Sequence, residues 1–221
     1  VCPYGAFSLR TMTPEQCTPV KKELMPTPEQ VDHLLRARRS IRTYRNESVD
    51  HDTLAALIDT ARYAPSGHNM QPVHWLVIEH RDEVRRLAEI VIDWMRAMIE
   101  RKSRMAEIMH FDRVIEAHEK GLDRVLRGAP HLIIAHGSAN SPTVQHACMT
   151  ALTYLELVAF SRGLGACWAG YFTGAPNAHE PWKEALSLPE GHQCYGALMV
   201  GRPEFTYHRV PLRNEPRIDW R

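Results

Sequence analysis

The 221-residue sequence lacks an apolar run long enough to cross a membrane. Its longest apolar stretch, residues 151–160, is broken by Thr153 and Glu156 and falls well short of the ~20 residues a spanning helix needs. Net charge is nearly absent as well, with 27 Lys+Arg against 26 Asp+Glu, so bulk electrostatics call for neither a nucleic acid nor an anionic membrane as partner. Any positive site must be local. Five cysteines, at positions 2, 17, 148, 167 and 194, show no framework spacing, which excludes a disulfide-stapled miniprotein. With no basic segment and apolar core of a secretory signal at residues 1–5, the expected compartment is a reducing cytoplasm. Internal repeats and low-complexity runs are missing too. No HExxH pattern and no GxxxxGK with a following Ser or Thr occurs, and Gly163-Leu164-Gly165 fails the GxGxxG rule because Trp168 stands at the third Gly position. The thirteen histidines are scattered, so no metal site is expected.

What is present is apolar material, 44% of residues, enough for one sizeable core or two small ones. Thr27-Pro28-Glu29-Gln30 combines an N-cap Thr, Pro at the first helical position and a Gln that closes a capping box, predicting a helix over residues 28–39. The same four residue types at positions 13–16 predict a short helical turn. Asp50 or Asp52 caps a helix ended by Pro65 near residue 64. Periodicity then predicts a strand over residues 73–79, helices over 82–102 and 111–126, and a buried strand over 131–136. A long helix over 142–162 is closed by Gly163. Strands over 166–172 and 195–200 flank a helix at 181–186. Strands interleaved with helices make an α/β or α+β domain. The expected organisation is an N-terminal arm (1–26), one domain (27–201) and an extended C-terminal arm (202–221), which needs a surface such as a second subunit to lie on.

Five arginines fall within ten residues, Arg36, Arg38, Arg39, Arg42 and Arg45, in a chain of almost no net charge. The helix macrodipole accounts for Arg36, Arg38 and Arg39 near a helix C-terminus, but not for Arg42 beyond it. Guanidinium forks with the Ser40 hydroxyl make an anion site, phosphate above all. A second polar segment, Ala64-Pro65-Ser66-Gly67-His68-Asn69-Met70-Gln71-Pro72, reads alone as an ordinary Pro/Gly turn with Asn in a left-handed conformation.

Arg38-Arg39-Ser40-Ile41-Arg42, then that turn, then Gly163-Leu164-Gly165-Ala166-Cys167-Trp168-Ala169-Gly170, in this order and spacing, resemble the flavin-dependent nitroreductase family over residues 28–213. The resemblance implies an α+β fold with a central mixed or antiparallel sheet flanked by helices, and an intertwined homodimer that binds FMN at two sites across its interface. It implies that Arg38, Arg39, Ser40 and Arg42 reach the FMN phosphate or the pyrimidine edge. Pro65, Ser66, Gly67 and Asn69 would come to the same flavin from the other subunit. Trp168, Ala169, Gly170 and Tyr171 would run along one face of the ring, with a backbone N–H of the Gly170-Tyr171 region near N5. Arg209, and after it Arg213, would reach the phosphate. No side chain acts as nucleophile, because the flavin carries the chemistry. The implied activity is FMN-dependent oxidoreduction with ping-pong kinetics. NAD(P)H or a reduced iron–sulfur protein is the donor, and a nitroaromatic, quinone or similar small molecule the acceptor.

The chain also departs from the family. Many relatives carry Asp and Gln-Asn where this long helix has Ala147 and Thr153-Tyr154, and His68 and Met70 fill variable pocket positions. The start, Cys2-Pro3-Tyr4-Gly5-Ala6-Phe7, resembles the end of a ferredoxin-like segment joined to a nitroreductase domain. One cysteine cannot hold a 4Fe–4S cluster, so the segment is a remnant, of a truncated chain or of a lost cluster. From a different class, the chain reads as a flavin-binding electron-transfer or sensing module with no small-molecule acceptor of its own.

Overall fold

The computed structural model describes residues 13–175 and 179–221, and these divide into two compact units between Leu35 and Arg36. The Cys2-to-Phe7 segment lies outside the described residues. In the first unit, single 3-10 turns form at Pro14–Gln16 and Lys22–Leu24. Helix α1 (Pro28–Ala37) begins at a reciprocal box, in which the Gln30 side chain accepts from the Thr27 N–H at 2.9 Å and Thr27 Oγ1 accepts from the Gln30 N–H at 3.3 Å. It stops two residues short of the expected 39.

The second unit holds β1 (His74–Ile78), β2 (His131–Ser138), β3 (Gly165–Trp168) and β4 (His192–Gly201) in one antiparallel sheet of order β1-β2-β4-β3. Central strand β2 is buried along almost its whole length, and the alternation of its apolar residues splits the core. Leu132 and Ile134 face α3 (Arg81–Glu100) and α5 (Phe111–Glu119), while Ile133 and Ala135 face α2 (His51–Ala61) and α6 (Val144–Ser161). Each fully buried aliphatic side chain there stabilises the fold by about 1.5–3 kcal/mol. Asp50 rather than Asp52 caps α2, its carboxylate accepting from the Thr53 N–H at 2.8 Å. Gly163, at φ +72°, closes α6 in a Schellman arrangement, with Leu164 N–H on Ala159 O and Gly163 N–H on Phe160 O.

Two expected elements differ and one element was not foreseen. The helix foreseen over 111–126 ends at Glu119, because Gly121 turns at φ +79° and the Asp123 carboxylate takes the N–H groups of Val125, Leu126 and Gly128. A five-residue helix, α4 (Arg104–Ile108), lies between α3 and α5 where none was expected. The strand foreseen over 166–172 stops at Trp168, where Ala169 N–H bonds Ala197 O at 3.0 Å, and the chain turns into α7 (Gly170–Gly174). Phe172 thereby enters the core against Trp182 of α8 (Glu180–Leu186), with ring centroids 5.5 Å apart. No helix among the described residues is long and apolar enough to cross a membrane.

Candidate functional site

After α1 the arginine-rich segment runs beside β3. Ser40 forms a parallel bridge with Ala166, and Ile41 N–H bonds Ala166 O at 3.0 Å. Gly165 allows this approach, since a Cβ there would stand 2.6 Å from Ile41 Cβ. Tyr44 fastens the far end, its hydroxyl donating to Ile41 O at 2.7 Å. Burial, above all, pushes that phenol far up its range, so it stays a donor. Arg45 N–H on Arg202 O and Glu204 N–H on Thr43 O zip the start of the C-terminal tail to the same segment.

Along this segment the predicted cations differ in surroundings. Arg38 is half-buried and donates from Nη1 to Glu156 Oε1 of α6 at 2.9 Å. Half-buried Arg39 lies over the Tyr207 ring, 5.5 Å from its centroid, which brings the tail within two residues of Arg209 to the site. Arg42 is exposed, and its charge opposes the burial that raises the Cys167 thiol. Arg209 and Arg213 are exposed on the tail. The set offers several guanidinium groups and a hydroxyl along one docked strip, the donor chemistry of a phosphate cradle.

The bridge to β3 joins that strip to the corner between β3 and α7. Trp168 is half-buried over Gly196, Ala169 is buried, and Gly170 is exposed with nothing within 4 Å of where a Cβ would project. A planar ligand can therefore approach the backbone at Gly170. Tyr171 is half-buried, set edge-on to Phe111 with its hydroxyl 3.5 Å from Met109 O. Its expected place on a strand is corrected to the first turn of α7.

The second predicted segment lies elsewhere. Pro65 and Ser66 line a cavity of about 110 Å³ with Gln71, Trp75, Ala147 and Ala151. Ser66 Oγ accepts from Gln71 N–H at 3.0 Å, and His68, Asn69 and Gln71 all adopt positive φ, a concentration of left-handed backbone that marks a specialised turn. Gly67 and Asn69 are exposed, and a Cβ on Gly67 would meet Thr143 at 2.9 Å. On α6 this turn sits at Ala147 and the arginine strip at Glu156, about 13 Å apart at 1.5 Å per residue. Within one chain the two motifs thus lie at different places along α6. Thr153 and Tyr154 are exposed between them, as is Met70 in the turn.

Sequence reasoning missed Glu156. Its signal was a lone carboxylate inside the apolar run Leu155-Glu156-Leu157-Val158 of a buried helix, where a charge needs a partner. Among the described residues no group of His, Cys, Asp and Glu is arranged to hold a metal ion.

The model of the nitroreductase family matches residues 35–202. A protein of Archaeoglobus fulgidus provisionally named NADH dehydrogenase/NAD(P)H nitroreductase is 30% identical over 77% of this chain and 84% of its own length. The 5,6-dimethylbenzimidazole synthase of Rhodospirillum rubrum is 26% identical over 86% of this chain and 88% of its own. Among solved structures, a nitroreductase with bound FMN from Desulfitobacterium hafniense shares the fold, with a TM-score of 0.68 at 21% identity, over 86% of this chain and 96% of that one.

Proposed function

Because this chain belongs to the nitroreductase family, we propose that it is an FMN-dependent oxidoreductase working as a homodimer. The observation that carries this reading is the 3.0 Å bond from Ile41 N–H to Ala166 O, which unites the arginine strip with the Trp168–Tyr171 corner. Arg38, Arg39, Ser40 and Arg42 would hold the phosphate and the pyrimidine edge, joined by Arg209 and, further along the tail, Arg213. Trp168, Ala169, Gly170 and Tyr171 would flank one face of the ring, and the open space at Gly170 leaves its backbone free to approach N5. Pro65, Ser66, Gly67 and Asn69 would complete the site of the other subunit.

Bound FMN would supply the redox chemistry, taking hydride from NAD(P)H, or electrons from a reduced iron–sulfur protein, and passing them to a nitroaromatic, quinone or similar acceptor in ping-pong fashion. The residues themselves bind, orient and screen. A guanidinium beside the pyrimidine edge favours negative charge developing there, and the flat, half-open corner at Trp168 suits stacked acceptors of varied shape. The dimer draws support from the tail, where Leu212 is 97% and Trp220 88% exposed, apolar surface that suits a partner's groove. In this reading residues 1–26 are an N-terminal arm with a ferredoxin-like start, residues 27–201 the flavin domain and residues 202–221 the arm across the dimer. The compartment is a reducing cytoplasm.

The test is a visible absorption spectrum of purified protein followed by Arg39→Ala with Arg42→Ala, neither of which strands a buried carboxylate. Flavin bands that the double variant loses, while its melting temperature matches that of flavin-free wild type, are the expected result. A colourless protein that takes up no added FMN, or a variant that keeps stoichiometric FMN, overturns the reading.

A further inference from the structure

Among the described residues only His131, His136 and Glu156 are polar or charged and buried, and Glu156 alone is acidic. It is 7% exposed on α6, between the core side chains Leu155 and Ala159. A leucine of similar volume would satisfy that packing. A carboxylate taken out of water persists only where it is paired and hydrogen-bonded, and its partner, Arg38, arrives from 118 residues away at 2.9 Å.

The pairing also fixes Arg38. A guanidinium carries five N–H donors in one plane, and the bond to Glu156 uses Nη1 while the side chain stays 24% exposed. One corner is anchored in the core and the rest of the fork can face the strip that carries Ser40 and Arg42. The carboxylate lies where α6, β3 and that strip cross. Its charge adds to the burial that raises the Cys167 thiol, and it acts in the same direction on the Tyr44 phenol, which burial raises first.

We propose that Glu156 is a positioning residue, holding the Arg38 guanidinium in the orientation with which it grips the FMN phosphate. The inference rests on the FMN reading above. Without an oxygen at position 156 to accept from Nη1, the partly buried guanidinium turns toward water and leaves the strip. Glu156 therefore acts on affinity for the phosphate and not on affinity for the ring.

The experiment titrates flavin-free protein with FMN and with riboflavin, which lacks the phosphate, in wild type and in Glu156→Leu, Glu156→Gln and Glu156→Asp. Wild type should prefer FMN. Glu156→Leu should raise the FMN Kd at least about tenfold, the low end for a hydrogen bond to a charged group, and leave the riboflavin Kd within about twofold. Glu156→Gln keeps an oxygen for Nη1 and should retain the preference at wild-type level or above. Glu156→Asp keeps the charge but withdraws it by about 1.5 Å, one C–C bond, and should lose part of the preference. The Gln and Asp variants decide the matter alone if the Leu variant does not fold. The proposal is overturned if Leu and Asp keep the wild-type preference, if both ligands weaken together, or if Gln falls as far as Leu. A wild type that binds FMN no better than riboflavin removes the phosphate reading itself, a failure visible before any variant is made.

Discussion

Replacing Gly165 with alanine drives a methyl group into the seat of the arginine strip. The new Cβ would stand 2.6 Å from Ile41 Cβ and Cγ1 and 2.7 Å from Cγ2, where carbon atoms rest at about 3.5–4.0 Å. Rotating Ile41 gives no relief, because its Cβ is fixed to the backbone and its β-branched side chain has few rotamers. The strip must therefore lift by about 1 Å, which stretches the 3.0 Å bond from Ile41 N–H to Ala166 O beyond hydrogen-bonding range. Overpacking costs about 1–3 kcal/mol and the lost bond about 0.5–1.5 kcal/mol, together roughly 2–4 kcal/mol. For a domain of this size that corresponds to a fall of roughly 4–16 °C in melting temperature. Thermal unfolding followed by circular dichroism, with bound flavin counted by absorbance, measures both consequences. A Gly165→Ala protein that melts within 2 °C of wild type, or that carries a full complement of FMN, would refute the claim that this contact seats the strip.

Gly170→Ala makes the opposite case: nothing lies within 4 Å of the added methyl, so stability should hold within about 0.5 kcal/mol while FMN affinity falls severalfold, as a flavin titration would reveal. Asp50→Ala removes the cap of α2 and should cost about 0.5–2 kcal/mol by urea denaturation. His136 is held down to about 4 by burial, then by the neighbouring His192 and His74. Between that value and the ordinary 6.5 the unfolded chain binds a proton that the native protein refuses, so stability is full above about pH 6.5 and declines toward pH 4. Denaturation midpoints across this range should slope upward with pH, and His136→Gln should flatten the slope.

The legible parts of the sequence were those written in local chemistry. Thr27 with Gln30, an Asp cap on α2 and Gly163 after α6 each act on backbone groups a few residues away, and each formed, with the structure choosing Asp50 over Asp52 for the cap. The run Trp168-Ala169-Gly170-Tyr171-Phe172 was misread as continuous strand because an apolar, aromatic stretch has no period that separates strand from buried helix. The choice is made by distant groups: Ala197 O takes the Ala169 N–H, and Trp182 receives Phe172. The end of α5 depends on Asp123 capturing three N–H groups, a local cause masked by helical spacing. In the candidate site the cations were visible as a cluster. The partner of Arg38 was not, since nothing in the spacing of positions 38 and 156 announces their contact.

The bridge between Ser40 and Ala166 also dictates an order of events during synthesis. The strip leaves the ribosome early and its berth on β3 late, so the proposed anion cradle stays unassembled until most of the chain has emerged. The backbone groups with which the strip pairs to β3 wait for the same interval, open to pairing with other nascent chains. Cofactor loading then becomes a closing step of maturation. A shortage of flavin should leave a folded but loosely fastened protein, with the arginine strip as the first place for proteases to enter.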